Sequence, residues 1–423
     1  MATSRIAAAI LAAALMLAGC KGQSEPPQAP DDAYSEAEIA GSLPPSPATI
    51  AMRWQWLNPE INSFTFRNTQ DVFAYRIVDG AGGGHEWELP KADGFAMPPA
   101  TVAGEQADYD AWAERTFTNA LLVLRDGAVV FEDYRNRMTP ATPHIGFSMT
   151  KTITAMLVGQ ALERSEIESL DDPAGRYVPA LQRGAYGNAT IRNILEMRSG
   201  ADIEERYDFG ENPSLAGRIH EAAIVRNEAR FADFAVDIPS RAESGAEFNY
   251  ATLDTAVLGW VLEEATGQRI EHLMEDRIWK PMGAEFDGHF LADGPVGPVE
   301  VGGRALNGMG FNATLRDFAR LGQLMLDDGM ADGERILPEG WVAQMTQMKP
   351  TGIPARPGYG FFTWQVDDEP GAFAAVGLAG QFIYVHPESR TVIVKLSYYP
   401  PVEPDYVAPE TLAYFKAIAK TAH

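Results

Sequence analysis

The alternation of apolar and polar residues predicts a β-hairpin early in the chain. Two β-rich runs, at 121–124 and 128–131, flank the dipeptide Asp126-Gly127. Asp-Gly suits a tight turn in which the backbone adopts positive φ. Residues 121–131 are therefore predicted to form two antiparallel strands joined by a short turn.

The middle of the chain has helical periodicity instead. Apolar residues recur every three or four positions over 148–163 and over 252–266, where Gly267 follows. Shorter helices are predicted at 190–197, at 270–280, and from Thr314, which resembles the start of a capping box.

The C-terminal part returns to short strands. We predict them at 359–365, 373–376, 381–385 and 391–398, followed by a closing helix over 409–421. The simplest assembly is an α+β fold, with one antiparallel sheet built from both chain ends, flanked by helices, and a mostly helical insert at roughly 165–340. A cleft between sheet and insert is the default place for a binding site.

The N-terminus is predicted to be a targeting segment. Residues 1–20 contain Arg5, then an apolar run at 6–17 that is too short to span a bilayer, and end in Leu-Ala-Gly-Cys20. This ending matches the lipobox of bacterial lipoproteins, in which the cysteine is lipidated. Cys20 is the only cysteine, so a disulfide within the chain is impossible. The alternative is an ordinary signal peptide with an incidental cysteine.

Residues 21–50 are rich in Pro, Ala, Ser and acidic residues, and are predicted to form a flexible linker before a folded domain at 51–423. The expected location is the cell envelope, with lipid chains anchoring the domain to a membrane and the domain facing the periplasm. Lys21, directly after the cysteine, favours the outer membrane over the inner one.

Charge and composition exclude several function classes. The net charge of −24 argues against a nucleic-acid partner. The glycine run at 82–84 lacks the residues of a dinucleotide or phosphate loop, and the seven histidines show no metal-ligand spacing. We therefore expect no metal and no cofactor, while the oligomeric state stays open.

Ser148 and Lys151 are the most informative residues. A spacing of three places both side chains on one face of the predicted helix, one turn apart. A serine hydroxyl needs a base before it becomes a good nucleophile, and an uncharged lysine amine can be that base. The pair therefore points to acyl transfer by a serine nucleophile, with the N–H groups of the helix start available for an oxyanion. The alternative is a helix-capping serine followed by a solvated lysine.

Further motifs give this pair a context. With them, the chain resembles serine hydrolases related to class C β-lactamases and penicillin-binding proteins. It is most similar to the branch containing 6-aminohexanoate-dimer hydrolases and esterases. The resemblance covers roughly residues 115–400 and rests, beyond Ser148 and Lys151, on the segments 169–173, 177–179, 194–200, 248–252, 312–320 and 380–385.

The resemblance implies roles for further residues. Tyr250 stands where this family has a catalytic tyrosine, which would relay the proton of Ser148 to the leaving group. The backbone N–H groups of Ser148 and Gln381 would form the oxyanion hole, and Gly380 would let the substrate lie against its strand. The alternative for Tyr250 is a half-buried strand tyrosine that alternates with Phe248.

Two positions depart from the family pattern. Thr252 stands where the family has an asparagine, and Leu378 where β-lactamases and carboxypeptidases have a cation near the substrate carboxylate. We therefore expect a small amide or ester substrate rather than a β-lactam or a D-alanyl peptide. A binding lipoprotein with reduced catalysis is the alternative from another class.

Other features have two interpretations each. Five carboxylates could line the cleft, although a solvated loop is the simpler reading: Asp202, Glu204, Glu205, Asp208 and Glu211. Residues 53–56 are predicted to be core or cover, and the alternative is that they form a wall of the substrate site. His386 could serve an α/β-hydrolase, but the alternating strand–helix order of that fold is missing.

Overall fold

A computed structural model of the chain describes residues 45–80, 84–294 and 303–421. The predicted signal peptide, with Cys20, lies outside the described residues, as does the linker up to residue 44. Within the last residues of that predicted linker, a helix begins at Pro47, with Ser46 accepting a hydrogen bond from the Thr49 N–H at its start.

An antiparallel sheet of eight strands is the centre of the fold, and its strands come from both chain ends, as predicted. Strand Thr391–Ser397 pairs with Thr118–Arg125 and so joins the two parts. The spatial order is Lys349–Ile353, Arg356–Tyr359, Trp364–Gln365, Phe373–Gly377, Gln381–His386, Thr391–Ser397, Thr118–Arg125 and Ala128–Tyr134.

The early hairpin is confirmed, with φ of 48° at Asp126 and 80° at Gly127 in its turn. The single strand predicted at 359–365 is wrong. The backbone turns at 360–363, where the Gly360 N–H donates to the Thr363 carbonyl at 2.9 Å, and the segment is divided between two strands.

The sheet is covered on both faces. Gly322, in the helix Leu315–Leu326, lies against Val392 and Ile383. Phe415, in the closing helix Val407–Lys420, packs against Phe382 and Tyr384. Since Ile383 alternates with Phe382 and Tyr384 along one strand, the two helices lie on opposite faces of the sheet.

The insert is mostly helical, as predicted, but two of its strands belong to a second sheet that the sequence did not predict. That sheet has the order Tyr75–Val78, Gly288–Leu291, Phe311–Ala313 and His144–Ile145. Two further strand pairs are Ala100–Val102 with Glu105–Ala107, and Met330–Ala331 with Glu334–Arg335. Strands of two to four residues carry too little periodicity for recognition.

The helices predicted from Thr190, at 252–266 and from Thr314 are present with the expected caps, whereas the one predicted at 270–280 is interrupted by a π-helical segment, Glu275–Trp279. Thr190 and Thr314 each accept a hydrogen bond from the N–H three residues on, and Gly267 ends its helix at a φ of 68°. Across the part of the chain described, no helix is both long and apolar enough to cross a membrane. The remaining α-helices are Pro47–Gln55, Asn62–Thr65, Tyr109–Arg115, Thr150–Glu163, Ala174–Tyr177, Ile191–Leu195, Leu215–Ile219, Thr252–Thr266, Ile270–Met274, Lys280–Met282 and Trp341–Met345.

Candidate active site

Ser148 lies in a 3₁₀ turn, Phe147–Met149, that leads directly into the helix Thr150–Glu163. Phe147 has a φ of 45°, an uncommon value for a residue with a side chain. The rings of Trp56 and Phe66 pack against it at centroid distances of 5.3 Å and 5.0 Å, and the Thr150 hydroxyl donates to its carbonyl at 2.6 Å. This packing holds the bend that presents the half-buried Ser148 at the helix start.

The segment 53–56 supports that bend from behind. Arg53 is buried and donates to the carbonyls of Val72 at 2.8 Å and Val225 at 2.9 Å, and its burial lowers its pKa to about 10. Trp56 is buried in the core. The prediction of core or cover is thus confirmed for both residues, while Trp54 packs edge-on against Phe209 at 5.0 Å.

Lys151 is only 1% exposed, which rules out a solvated lysine. Its Nζ lies 3.0 Å from the Oγ of Ser148, 3.1 Å from the Oγ1 of Thr252 and 2.7 Å from the carbonyl oxygen of Gly308. The spacing of three in the sequence therefore brings the serine and the lysine into direct contact.

Tyr250 completes the group. The centre of its ring lies 5.1 Å from the Nζ of Lys151, and the ring packs against Trp364 at 5.5 Å and Tyr359 at 6.1 Å. Its ring is half-buried in an aromatic wall, as the packing interpretation expected, but the residue lies outside any strand, and the ring covers the lysine as well. The structure thus places Ser148 and Tyr250 next to the same lysine, although Tyr250 is distant from both residues in the sequence.

Gly308 was not identified from the sequence. Its turn is held by Asn307, whose side chain donates to the Thr255 carbonyl at 2.7 Å and whose carbonyl accepts from the Thr154 hydroxyl at 2.9 Å. A Cβ at Gly308 would lie 2.9 Å from the Cγ2 of Thr252. Only glycine lets this carbonyl approach the lysine without displacing Thr252.

Thr252 is the first residue of its helix. Besides its contact with Lys151, it is hydrogen-bonded to Glu205. The Glu205 carboxylate accepts the Thr252 N–H at 2.8 Å and the Thr252 hydroxyl at 2.6 Å. The Tyr207 hydroxyl donates to the same carboxylate at 2.5 Å. The prediction of a solvated acidic loop is therefore wrong for Glu205.

The other four carboxylates of that segment stay outside this network. Asp208 is half-buried and pairs with Arg206 at 2.7 Å, and Asp202, Glu204 and Glu211 are exposed. No local pattern distinguishes Glu205 from its neighbours, because its partner Thr252 is distant in sequence.

The hairpin turn between Gly377 and Gln381 lies beside the Ser148 turn. A side chain at Gly377 would collide with the carbonyl oxygen of Gly146, whereas one at Gly380 would collide with the ring of Tyr399. Gly377, rather than Gly380, is thus the small residue next to Ser148. Leu378 is 53% exposed at the tip, and Gln381 is buried in the strand that follows.

A second carboxyl lies beneath the site. Asp254 is fully buried and accepts hydrogen bonds from the Tyr186 hydroxyl at 2.6 Å and the Ser199 hydroxyl at 2.8 Å. Burial raises the pKa of Asp254 to about 7, against the effect of these hydrogen bonds. Apart from its place in a predicted helix, no sequence pattern distinguishes this residue.

His386 lies away from the site. It ends the strand that Gln381 begins, so about five residues, or roughly 16 Å, separate the two. Its Nδ1 lies 2.9 Å from the Oγ of Ser389. An α/β-hydrolase arrangement with Ser148 is therefore excluded. Over the described ranges, no group of three or more His, Cys, Asp or Glu side chains could hold a metal ion.

Comparison with known proteins agrees with this geometry. Residues 110–414 match the family model described as Beta-lactamase. The chain is 30% identical over 341 residues to the 6-aminohexanoate-dimer hydrolase of Paenarthrobacter ureafaciens, covering 75% of this chain and 84% of that enzyme. It is 24% identical over 267 residues to penicillin-binding protein 4 of Amycolatopsis lactamdurans, covering 56% of this chain and 67% of that protein.

Solved structures show the same fold. A Bacillus anthracis protein assigned as a 6-aminohexanoate-dimer hydrolase superposes with a TM-score of 0.74 at 21% identity, covering 86% of this chain and 95% of that one. EstCE1, a hydrolase with promiscuous acyltransferase activity, gives a TM-score of 0.57 at 18% identity, covering 73% and 96%. With an antiparallel sheet from both chain ends and a family match over most of its length, the chain belongs to the β-lactamase family of hydrolases.

Proposed function

We propose that this protein is a serine hydrolase that cleaves an amide or ester bond of a small molecule through an acyl-enzyme on Ser148. The observation that carries the proposal is the distance of 3.0 Å between the Ser148 Oγ and the Nζ of the buried Lys151. Ser148 attacks the substrate carbonyl while Lys151 accepts the hydroxyl proton. The serine is half-buried at a turn, where a carbonyl carbon can reach it.

Tyr250 delivers the proton to the leaving group in this proposal. The centre of its ring lies 5.1 Å from Nζ, and a proton taken by Lys151 is proposed to reach the departing amine or alcohol through the phenol oxygen. The acyl group stays on Ser148 until water attacks it, with the same residues acting in reverse order.

The developing oxyanion is held by backbone N–H groups. One is that of Ser148, at the helix start. The second comes from the turn between Gly377 and Gln381. The family resemblance implied the N–H of Gln381. The closeness of Gly377 to the Gly146 carbonyl supports the N–H of Leu378, one residue on, as the nearer candidate.

The substrate is proposed to lack a carboxylate near the scissile bond. The exposed side chain of Leu378 stands where a β-lactamase or a D-alanyl carboxypeptidase would have a cation. Thr252 keeps a contact with Lys151 although it replaces an asparagine, which supports activity over a binding protein with reduced catalysis. The two relatives described as 6-aminohexanoate-dimer hydrolases favour an amide bond.

Covalent labelling tests the proposal. The domain starting near residue 45 is treated with a fluorophosphonate, digested, and searched for the modified peptide by mass spectrometry. The label is expected on Ser148, and Ser148→Ala should abolish both the label and ester turnover. Turnover that survives in Ser148→Ala, or a label on another serine, would contradict the proposal.

A further inference from the structure

The contacts of the Lys151 Nζ decide where its protons point. An uncharged amine has two N–H bonds and one lone pair. The Gly308 carbonyl, at 2.7 Å, can only accept a hydrogen bond. The Thr252 hydroxyl, at 3.1 Å, could either accept from Lys151 or donate to it.

Glu205 removes that ambiguity. An ionised carboxylate can only accept, and the Thr252 Oγ1 lies 2.6 Å from the Oε1 of Glu205. The hydroxyl proton therefore points at Glu205, and Thr252 presents a lone pair to Lys151. Both amine protons are then used, on Thr252 and Gly308, and the lone pair that remains faces the Ser148 hydroxyl at 3.0 Å.

We propose that Glu205 is a positioning residue for the general base: through Thr252 it aims the lone pair of Lys151 at Ser148, and its charge favours the ammonium formed when Lys151 takes the serine proton. The inference rests on the proposed function of Ser148 and Lys151. In the step concerned, the Oγ–H bond breaks, the proton joins Nζ, and the Oγ forms a bond to the substrate carbonyl carbon.

The carboxylate is itself held in place. Besides the Thr252 hydroxyl it accepts the Thr252 N–H at 2.8 Å and the Tyr207 hydroxyl at 2.5 Å. These bonds fix its orientation and stabilise its negative charge at the start of the helix Thr252–Thr266. The titratable groups around it are Tyr207, Tyr186 and, beneath the helix, Asp254, and beyond Thr252 lie Lys151 and Tyr250.

The adjacent Glu204 offers a matched control. Its side chain is 66% exposed and lies 3.7 Å from the guanidinium of Arg206. Glu204→Gln therefore removes the same charge one residue away without touching Thr252, and it is expected to leave turnover unchanged.

The experiment compares ester turnover by the wild type, Glu205→Gln and Glu204→Gln over a range of pH. Glu205→Gln is expected to lower kcat about tenfold to a hundredfold, because a charge-assisted hydrogen bond in the site is lost, while KM changes little. Its acid limb of kcat/KM should move to lower pH, since losing a negative charge favours the uncharged amine. A kcat and an acid limb equal to those of Glu204→Gln would overturn the inference.

A double variant tests whether Glu205 acts through Thr252. In a Thr252→Val background, Glu205→Gln should lower kcat by less than about a further twofold, because the hydrogen bonds from Glu205 through Thr252 to Lys151 are already lost. If the losses in kcat of the two single variants instead add up fully in the double variant, the inference is overturned. If Glu205→Gln does not fold, Thr252→Val alone is the test, because it also removes the hydroxyl that orients Lys151, and a kcat equal to that of the wild type would overturn the inference. Failure of the proposed function would look different: the wild type itself would take no label on Ser148.

Discussion

Gln381 and Ser397 exchange two hydrogen bonds across neighbouring strands. The Gln381 side-chain NH₂ donates to the Ser397 carbonyl at 2.8 Å, and the Ser397 N–H donates to the side-chain oxygen of Gln381 at 2.9 Å. The same amide also donates to the carbonyls of Leu378 at 3.2 Å and Ala379 at 3.1 Å. A buried side chain thus fixes the turn that is proposed to supply an oxyanion donor.

Replacing Gln381 with leucine should loosen that turn. We expect kcat to fall about tenfold or more through a misplaced donor. The free energy of unfolding should fall by about 1–3 kcal/mol, because the buried carbonyls and the Ser397 N–H lose their partner. Steady-state kinetics and urea unfolding measure both effects.

Leu378→Ala is the control for that variant, since its side chain is largely exposed at the same turn. It should change the free energy of unfolding by less than about 0.5 kcal/mol. A Gln381→Leu enzyme with wild-type kcat would contradict the positioning of the turn by this side chain.

Tyr250→Phe should separate amides from activated esters. An amine leaving group needs a proton to depart, whereas a nitrophenolate does not, so amide turnover is expected to fall about a hundredfold or more and nitrophenyl ester turnover much less. Parallel assays on a matched amide and ester pair measure the ratio. Equal losses on both substrates would contradict a role in protonating the leaving group.

The sequence predicted the elements that carry strong local patterns. The Asp126-Gly127 hairpin, the helix Thr252–Thr266 and the spacing of Ser148 and Lys151 depend on neighbours in the chain, and all three are present in the structure. The family resemblance placed Tyr250, whose ring contacts Lys151.

What the sequence missed depends on contacts between distant segments. Glu205 reaches Thr252 across about fifty residues, and the Gly308 carbonyl reaches Lys151 across more than a hundred. The second sheet was not predicted because its strands are too short to show a recognisable alternation of apolar and polar residues. The expectation that Gly380 faces the substrate needed the backbone conformation of the turn, which only the folded hairpin defines.

Asp254 should make stability depend on pH. Its pKa is about 7 in the folded chain and about 3.9 when unfolded, so the native state holds a proton that the unfolded state has released over this window. The free energy of unfolding contributed by this group is therefore full below about pH 4 and is lost as pH rises to about 7.

Asp254→Asn tests that dependence by urea unfolding at pH 5 and pH 8. From pH 5 to pH 8, the free energy of unfolding should fall by roughly 2 kcal/mol more in the wild type than in the variant. Asp293, whose pKa burial also raises to about 7, is present in both proteins and cancels in the comparison. Parallel profiles for the two proteins would show that Asp254 does not titrate in this range.

Cys20 is proposed to carry the lipid that anchors the protein. In a bacterial host with lipoprotein processing, the full chain should fractionate with membranes, and Cys20→Ser should lose that association because the acyl chains are absent. Ester turnover per molecule should stay the same in both forms. A Cys20→Ser protein that remains with the membrane after a salt wash would contradict lipid anchoring.

Ser148 is proposed as the nucleophile and Lys151 as its base. The most direct measurement is the rate of fluorophosphonate labelling of Ser148 in the wild type and in Lys151→Ala, followed by intact mass. We predict a single adduct on the wild type and a rate at least about a hundredfold lower in Lys151→Ala, since the serine then has no proton acceptor. Equal labelling rates in the two proteins would show that Lys151 does not activate Ser148.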